Sequence, residues 1–284
     1  MVDGKLVRVC EENPNLVAFV TYGAGREVCK NALVLIAGLT EGFLALAYTE
    51  ALSRALLGED YSVVMVNLSS SWSQFGFKSL STDCRELEKH VSFLKTRFGF
   101  GKIVLLGHST GAQDVVYFLR HGKPATTSLV NAVILHSGVS DREFMATEQY
   151  VSPMKEEAER LKSDGKGEGL LSNRLFGAPI TANRLLSLSG RLTEDDMFST
   201  DLTEEELNPI LKSVKIPIQL CFSENDEAVP DISAQKKFAE RMVTILKKYS
   251  SHVECNYFAG NHGLSKPDLY EPFVECVVRF ISTL

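Results

Sequence analysis

At 284 residues, with 44% hydrophobic and 23% charged residues, the chain has an ordinary globular composition and is long enough to bury a large core as one α/β domain. Its net charge of −6 argues against a nucleic-acid groove or an anionic membrane surface, since both need clustered Lys and Arg, and points to a small-molecule partner. Six cysteines (Cys10, Cys29, Cys84, Cys221, Cys255, Cys276) stand without a C-x-x-C pair, so neither zinc spacing nor a disulfide framework is indicated and a reducing compartment is expected.

Short apolar, β-branched runs alternate with longer stretches of helical period, the pattern of a mostly parallel sheet covered on both faces. In chain order the spacing predicts strands at Leu16–Thr21, Ala32–Ala37, Ser62–Asn67, Lys102–Leu106, Asn131–Leu135, Ile216–Phe222 and Val253–Phe258. Helices are predicted over Ala45–Leu57, Ser79–Phe98, Ala112–His121, Ile232–Lys248 and Glu271–Thr283. Leu87, Val91 and Leu94, three and four residues apart, set the second helix against the sheet. No apolar run reaches the length of a secretory core or a membrane span. Ser282-Thr283-Leu284 lacks the basic residue of a peroxisomal Ser-Lys-Leu signal, so a cytoplasmic location is expected.

The alternation breaks once, between the strands ending near His136 and starting near Ile216, where the chain is far longer than a crossover needs. A helical lid is expected over 142–212, inserted into a single domain spanning 1–284. Ser152-Pro153 predicts a helix start, with Ser as N-cap and Pro at the first helical position, and Gly165 and Gly167 end it. Thr181 fits the cap of a second helix, and Thr203-Glu204-Glu205-Glu206 fits a capping box opening a third. The intervening acids Glu194, Asp195, Asp196 and Asp201 read as a solvated lid face rather than a cation-binding rim.

Gly107-His108-Ser109-Thr110-Gly111 carries the chemistry. It follows a predicted strand and opens a predicted helix, the context of a nucleophile elbow. A turn that sharp forces Ser109 into strained backbone angles and leaves no room for side chains at 107 and 111. A serine nucleophile needs a base and a carboxylate to orient that base, and in this architecture they follow in the order acid, then histidine. Asp226, in the loop Ser223-Glu224-Asn225-Asp226-Glu227-Ala228-Val229-Pro230 after a strand, is the expected acid, with Glu224, Glu227 and Asp141 as competitors. His262, in the late turn Gly260-Asn261-His262-Gly263, is the expected base. His90 and His121 fall on scaffold helices, His252 precedes its strand, His136 ends one near the site wall, and His108 is expected to point sideways into packing.

Attack on a carbonyl creates an oxyanion that two backbone N–H groups stabilise. Thr110, the residue after the serine, supplies one. The other comes from the turn Gly38-Leu39-Thr40-Glu41-Gly42, where Leu39 and Thr40 both remain candidates. The loop Ser69 to Phe75 is expected to shape the pocket, with Trp72 as wall or packing plug, and Thr40, His108, Asp141 and Arg142 as further pocket candidates.

Together these residues resemble the α/β-hydrolase superfamily over essentially the whole chain. A closer resemblance lies in Ala37–Phe43, Gly107–Asp114, Ser140–Glu143, Pro179–Ala182 and Asp196–Leu202. These look like a family of α/β hydrolases from fungi, plants and protists, long labelled a domain of unknown function, that includes fungal siderophore esterases acting on fusarinine-type esters. The resemblance implies a cytoplasmic serine esterase without metal or organic cofactor, acting on a small-molecule ester, with siderophore-type esters among the candidate substrates. The alternatives are a non-catalytic ligand-binding protein of the same fold, and an acyltransferase or thioesterase using the same three residues. Epoxide hydrolases and dehalogenases of this fold carry Asp at the elbow, so the serine argues against them.

Overall fold

Successive residues of the central strands alternate between two cores, one on each face of a single sheet. The computed structural model describes residues 2–23, 25 and 27–284. Its strands are β1 (Gly4–Arg8), β2 (Val17–Thr21), β3 (Asn31–Ile36), β4 (Tyr61–Asn67), β5 (Ile103–His108), β6 (Ala132–His136), β7 (Ile218–Ser223) and β8 (Val253–Phe258). They lie in the order β1-β2-β4-β3-β5-β6-β7-β8. The β1–β2 and β2–β4 pairs are antiparallel and all later pairs parallel.

The helices are α1 (Thr49–Leu56), α2 (Leu80–Phe98), α3 (Thr110–His121), α4 (Pro124–Thr127), α5 (Asp141–Thr147), α6 (Val151–Ser163), α7 (Ala182–Ser189), α8 (Glu204–Leu211), α9 (Ile232–Leu246) and α10 (Pro267–Ser282). Ala32, Val34 and Ile36 of β3 face one core with apolar residues of α2, α3, α8 and α9. Leu33 and Leu35 face the other, with α1 and α10. Each large apolar side chain buried this way contributes roughly 1.5–3 kcal/mol. This is the α/β-hydrolase architecture. Among the described residues, no helix is long and apolar enough to cross a membrane.

Several boundaries differ from the sequence expectation. β1 is absent from it, because this edge strand is mostly half-exposed and Leu6 is 61% exposed, leaving no apolar alternation to read. The helix expected from Ala45 begins at Thr49, after a turn in which Leu44 takes a positive φ of 61°. β7 starts after Pro217 rather than at Ile216. α3 begins two residues earlier than expected, directly at the elbow. α10 begins a turn earlier, with Pro267 in its first turn, where a missing N–H leaves no bond unmade.

The segment expected as a lid divides in two. Met145, Met154, Ala158, Leu175, Ile180 and Leu185, from α5 to α7, form a small core of their own together with Phe75. Leu207, Ile210 and Leu211 of α8 instead join the main core. α6 starts at Val151 with Tyr150 as N-cap, so Ser152 is not the cap and Pro153 is the third helical residue. Proline is tolerated there because first-turn amides have no intrahelical acceptor. Thr181 caps α7 by accepting from the Arg184 amide, and Thr203 with Glu206 forms the capping box of α8. The acidic stretch is solvated only in part: Asp201 is exposed and Glu194 half-buried, but Asp195 and Asp196 are 2% and 4% exposed. Each is compensated by an arginine, Arg184 to Asp195 at 2.7 Å and Arg142 to Asp196 at 3.2 Å.

Candidate active site

The parallel strands end at one edge of the sheet, where the loops after β3, β5, β6, β7 and β8 converge. Ser109 follows β5 with φ 55° and ψ −121°, outside the ordinary regions for a side-chain-bearing residue. Its amide donates to the His136 carbonyl at 2.9 Å, fastening the turn to the end of β6. The flanking glycines are sterically required. A Cβ on Gly107 would lie 2.1 Å from the Gly111 carbonyl oxygen, and one on Gly111 would lie 2.3 Å from that of Ile36.

Asp226 and His262 come together from adjacent loops. Both Asp226 carboxylate oxygens lie 2.9 Å from His262 Nδ1, and Asp226 Oδ1 also accepts from the Ala228 amide at 2.9 Å. Asp226 is 3% exposed and the His262 side chain 19%. The two loops are sewn together by backbone bonds, Glu224 N–H to Phe258 O at 2.8 Å and Asn225 N–H to Gly260 O at 3.0 Å. Burial alone would push the His262 imidazole down. The hydrogen bond and charge of Asp226, followed by Glu227 and Glu41, outweigh burial and raise it.

The competing carboxylates are engaged elsewhere. Glu224 pairs with Lys236 at 2.9 Å. Glu227 accepts from the His262 backbone amide at 2.8 Å, which anchors the histidine loop rather than the ring. Asp141 accepts from Gln113 Nε2 at 2.7 Å, and burial pushes its carboxyl up to about 6. His108 does point into packing: it is 1% exposed, its ring centroid lies 4.8 Å from those of both His136 and His262, and its Nδ1 lies 3.0 Å from His136 Nδ1. Burial, then His136 and His262, lowers its proton affinity. His136 Nδ1 also meets the Tyr48 hydroxyl at 3.0 Å, and burial pushes this imidazole down to about 3.

The turn after β3 leans on Ser109. A Cβ on Gly38 would stand 2.9 Å from Ser109 Cβ, so only glycine fits. Gly38 N–H is occupied, donating to Glu41 Oε2 at 2.7 Å. The amides of Leu39 and Thr40 donate to no group among the described residues. Nor does that of Thr110, which as the first residue of α3 has no intrahelical acceptor. Thr40 holds a positive φ of 66°, a costly conformation for a β-branched residue. A cavity of about 20 Å³, the size of a single water, lies behind the turn, lined by Gly38, Leu39, Thr110, Asp83, Asp114 and Arg184 among others.

Trp72 is 51% exposed and its indole covers Gly42, where a Cβ would fall 2.2 Å from the ring. It is therefore a half-exposed cover on the turn, and its amide donates to the Glu41 carbonyl at 3.1 Å. Arg142 faces Asp196 and Asp201 and ties α5 to the acidic stretch. The sequence reading missed Glu41 as a side chain of the site, and it missed the buried Tyr48–His136–His108 cluster beneath the site. The one signal for Glu41 is that it is an acid placed in the Gly38–Gly42 turn next to Ser109.

Residues 4–268 match the family described as a protein of unknown function, DUF1749. The chain belongs to this family. It is similar to the fusarinine C esterase sidJ of Aspergillus fumigatus, at 27% identity over 89% of each chain. It is also similar to esterase AN6793 of Emericella nidulans, at 29% identity over 76% of this chain and 74% of that protein. Among solved structures, the siderophore hydrolase EstB of Aspergillus fumigatus superposes with a TM-score of 0.84, at 24% identity, over 100% of this chain and 98% of that one. That likeness shows the α/β-hydrolase fold across the whole length of this family member.

Proposed function

We propose that the protein is a serine ester hydrolase working through an acyl-enzyme. Ser109 Oγ attacks the ester carbonyl and His262 takes its proton. The amide of Thr110 and one amide of the Leu39-Thr40 pair hold the oxyanion. His262 then protonates the leaving alkoxide, and a water activated by the same imidazole cleaves the acyl-enzyme. Asp226 fixes the imidazole tautomer with Nδ1–H inward and stabilises the imidazolium. The observation that carries this reading is the buried Asp226 carboxylate 2.9 Å from His262 Nδ1, with the His262 ring 4.8 Å from that of His108, the residue before a serine held at φ 55°. The reaction needs neither metal nor organic cofactor.

The names of two similar proteins, a fusarinine C esterase and a siderophore hydrolase, extend the proposal to a siderophore-type ester. Hydrolysis in the cytoplasm would release hydroxamate fragments and their iron. The packed unit of α5 to α7 serves as the cover of the substrate site, docked through Arg142 and Arg184. The test is labelling of the purified protein with a fluorophosphonate, counted by intact mass. One adduct on the wild type, lost in Ser109→Ala and His262→Ala, is expected, and no adduct on folded wild type overturns the reading. Brisk turnover of simple acyl esters with none of any hydroxamate ester would overturn the siderophore assignment alone.

A further inference from the structure

We propose that Glu41 is a positioning residue for this reaction, whose carboxylate holds the oxyanion turn against Ser109 and supports positive charge on His262. The inference rests on the serine-hydrolase reading above. Glu41 folds back three residues onto its own turn, Oε2 accepting from Gly38 N–H at 2.7 Å while its amide donates to the Gly38 carbonyl at 3.1 Å. Its carbonyl accepts from Trp72 N–H at 3.1 Å, so the turn is clamped from both sides. The clamp fixes Gly38, the residue whose α-carbon abuts the nucleophile, and leaves the next two amides free.

A carboxylate here is electrostatically odd. Negative charge develops on the oxyanion a few ångströms away, and an anion beside it opposes that step. The compensation is that the same carboxylate favours the imidazolium that forms in the same step as the oxyanion, and the Gly38 bond and the charge of His262 favour its ionised form against burial, which raises its pKa. Glu41 Oε1 lies 4.0 Å from His108 Nε2, and the buried His108 ring lies tilted against both His136 and His262, 4.8 Å from each between centroids. The groups facing His262 are therefore Asp226, Glu227, Glu41, His108 and His136, with Asp141 also within electrostatic range. Glu41 in turn faces Gly38 N–H, His108, His262 and Tyr48.

Two substitutions separate the clamp from the charge. Glu41→Gln keeps an acceptor for Gly38 N–H and removes the charge. Glu41→Ala removes both. With p-nitrophenyl acetate as probe, Glu41→Ala is expected to lower kcat by about 10- to 100-fold with KM within about threefold, the signature of a loss felt in the transition state. Glu41→Gln should restore kcat to within about threefold of wild type. In both variants the acid limb of kcat/KM, set by His262, should move to lower pH, because a charge that favoured the imidazolium is gone. A residue that only stabilises the turn would leave that limb in place. An acid limb unmoved in Glu41→Gln, a wild-type kcat in Glu41→Ala, or a loss confined to KM would each overturn the proposal. If Ser109→Ala retains activity on the same probe, the underlying triad reading fails instead, and the two failures are thereby told apart.

Discussion

Gly38→Ala puts the closeness of Ser109 and the Gly38–Gly42 turn, proposed as nucleophile and oxyanion turn, to a quantitative test. The added methyl carbon would stand 2.9 Å from Ser109 Cβ, where ordinary contact begins at 3.4 Å, a shortfall of about 0.5 Å. It would also press on Glu41 Oε2 at 3.1 Å and meet the His108 carbonyl oxygen at 3.4 Å. The His108 carbonyl is fixed by the elbow, so the strain must be relieved by moving Ser109, the Glu41 carboxylate, or the turn itself. Overpacking of this size costs about 1–3 kcal/mol, which lowers Tm by only several degrees for a chain this long. Activity suffers more, since misplacing reacting groups by about 1 Å can cost on the order of 100-fold and half of that still costs roughly tenfold. We expect kcat/KM on a p-nitrophenyl ester, and the rate of fluorophosphonate labelling, to fall by about 10- to 100-fold in a folded protein. Gly263→Ala is the control, one residue from His262, where an added Cβ meets nothing within 4 Å. Wild-type rates in Gly38→Ala, or equal losses in both variants, would refute the argument.

Two further expectations follow from the buried charges. Arg184→Met leaves Asp195 buried without its cation and strips the Phe75 carbonyl of its donor, so urea unfolding should show a loss of about 3–5 kcal/mol. Adding Asp195→Asn should recover part of that loss, and a single-variant cost below about 1 kcal/mol would mean that the pair is not structural. Asp141 takes up a proton at about 6 in the folded protein and near 3.9 when unfolded. Its folded pKa is raised, so this group adds stability as pH falls from about 6 towards 4 and withholds it at neutral pH. Asp141→Asn should therefore flatten that part of the stability profile, and an unchanged profile between those pH values would contradict the burial argument.

What could be read in advance was what depends on short-range pattern. Alternating apolar runs marked seven of the eight strands, and the elbow pentad and the later acid and histidine turns carried their chemistry in residue type and order. What stayed hidden depends on partners distant in the chain or on the path of a side chain. Asp196 looked solvated because Arg142, which neutralises it, lies 54 residues away. Glu41 lies within the turn Gly38–Gly42, yet nothing in its spacing says that its carboxylate turns back onto Gly38 N–H. The edge strand β1 was invisible for the opposite reason: a strand with little buried face has no pattern to show. Caps occupied a middle position. Thr203-x-x-Glu206 was legible because both bonds are local, whereas Ser-Pro at 152–153 gave a false start, since a proline fits any position of a helix's first turn.

The strain at the site has a common mechanical origin. Ser109 at φ 55° and Thr40 at φ 66° each cost on the order of 1–3 kcal/mol, and both persist only if their surroundings allow no relaxed alternative. Three glycines remove that alternative by letting backbones touch: Gly107 lies against Gly111, Gly111 against the end of β3 at Ile36, and Gly38 against Ser109 itself. The end of β3, the elbow and the Gly38–Gly42 turn therefore form one contact unit, with the buried His108–His136 pair on its inner side and the Glu41 clamp on its outer side. Because those contacts are backbone or fully buried, they do not depend on a bound ester to form. In the proposed reaction the free amides of Leu39, Thr40 and Thr110 are thus held in place before substrate arrives, which is the condition under which an oxyanion is stabilised without the cost of reorganising its donors during the reaction.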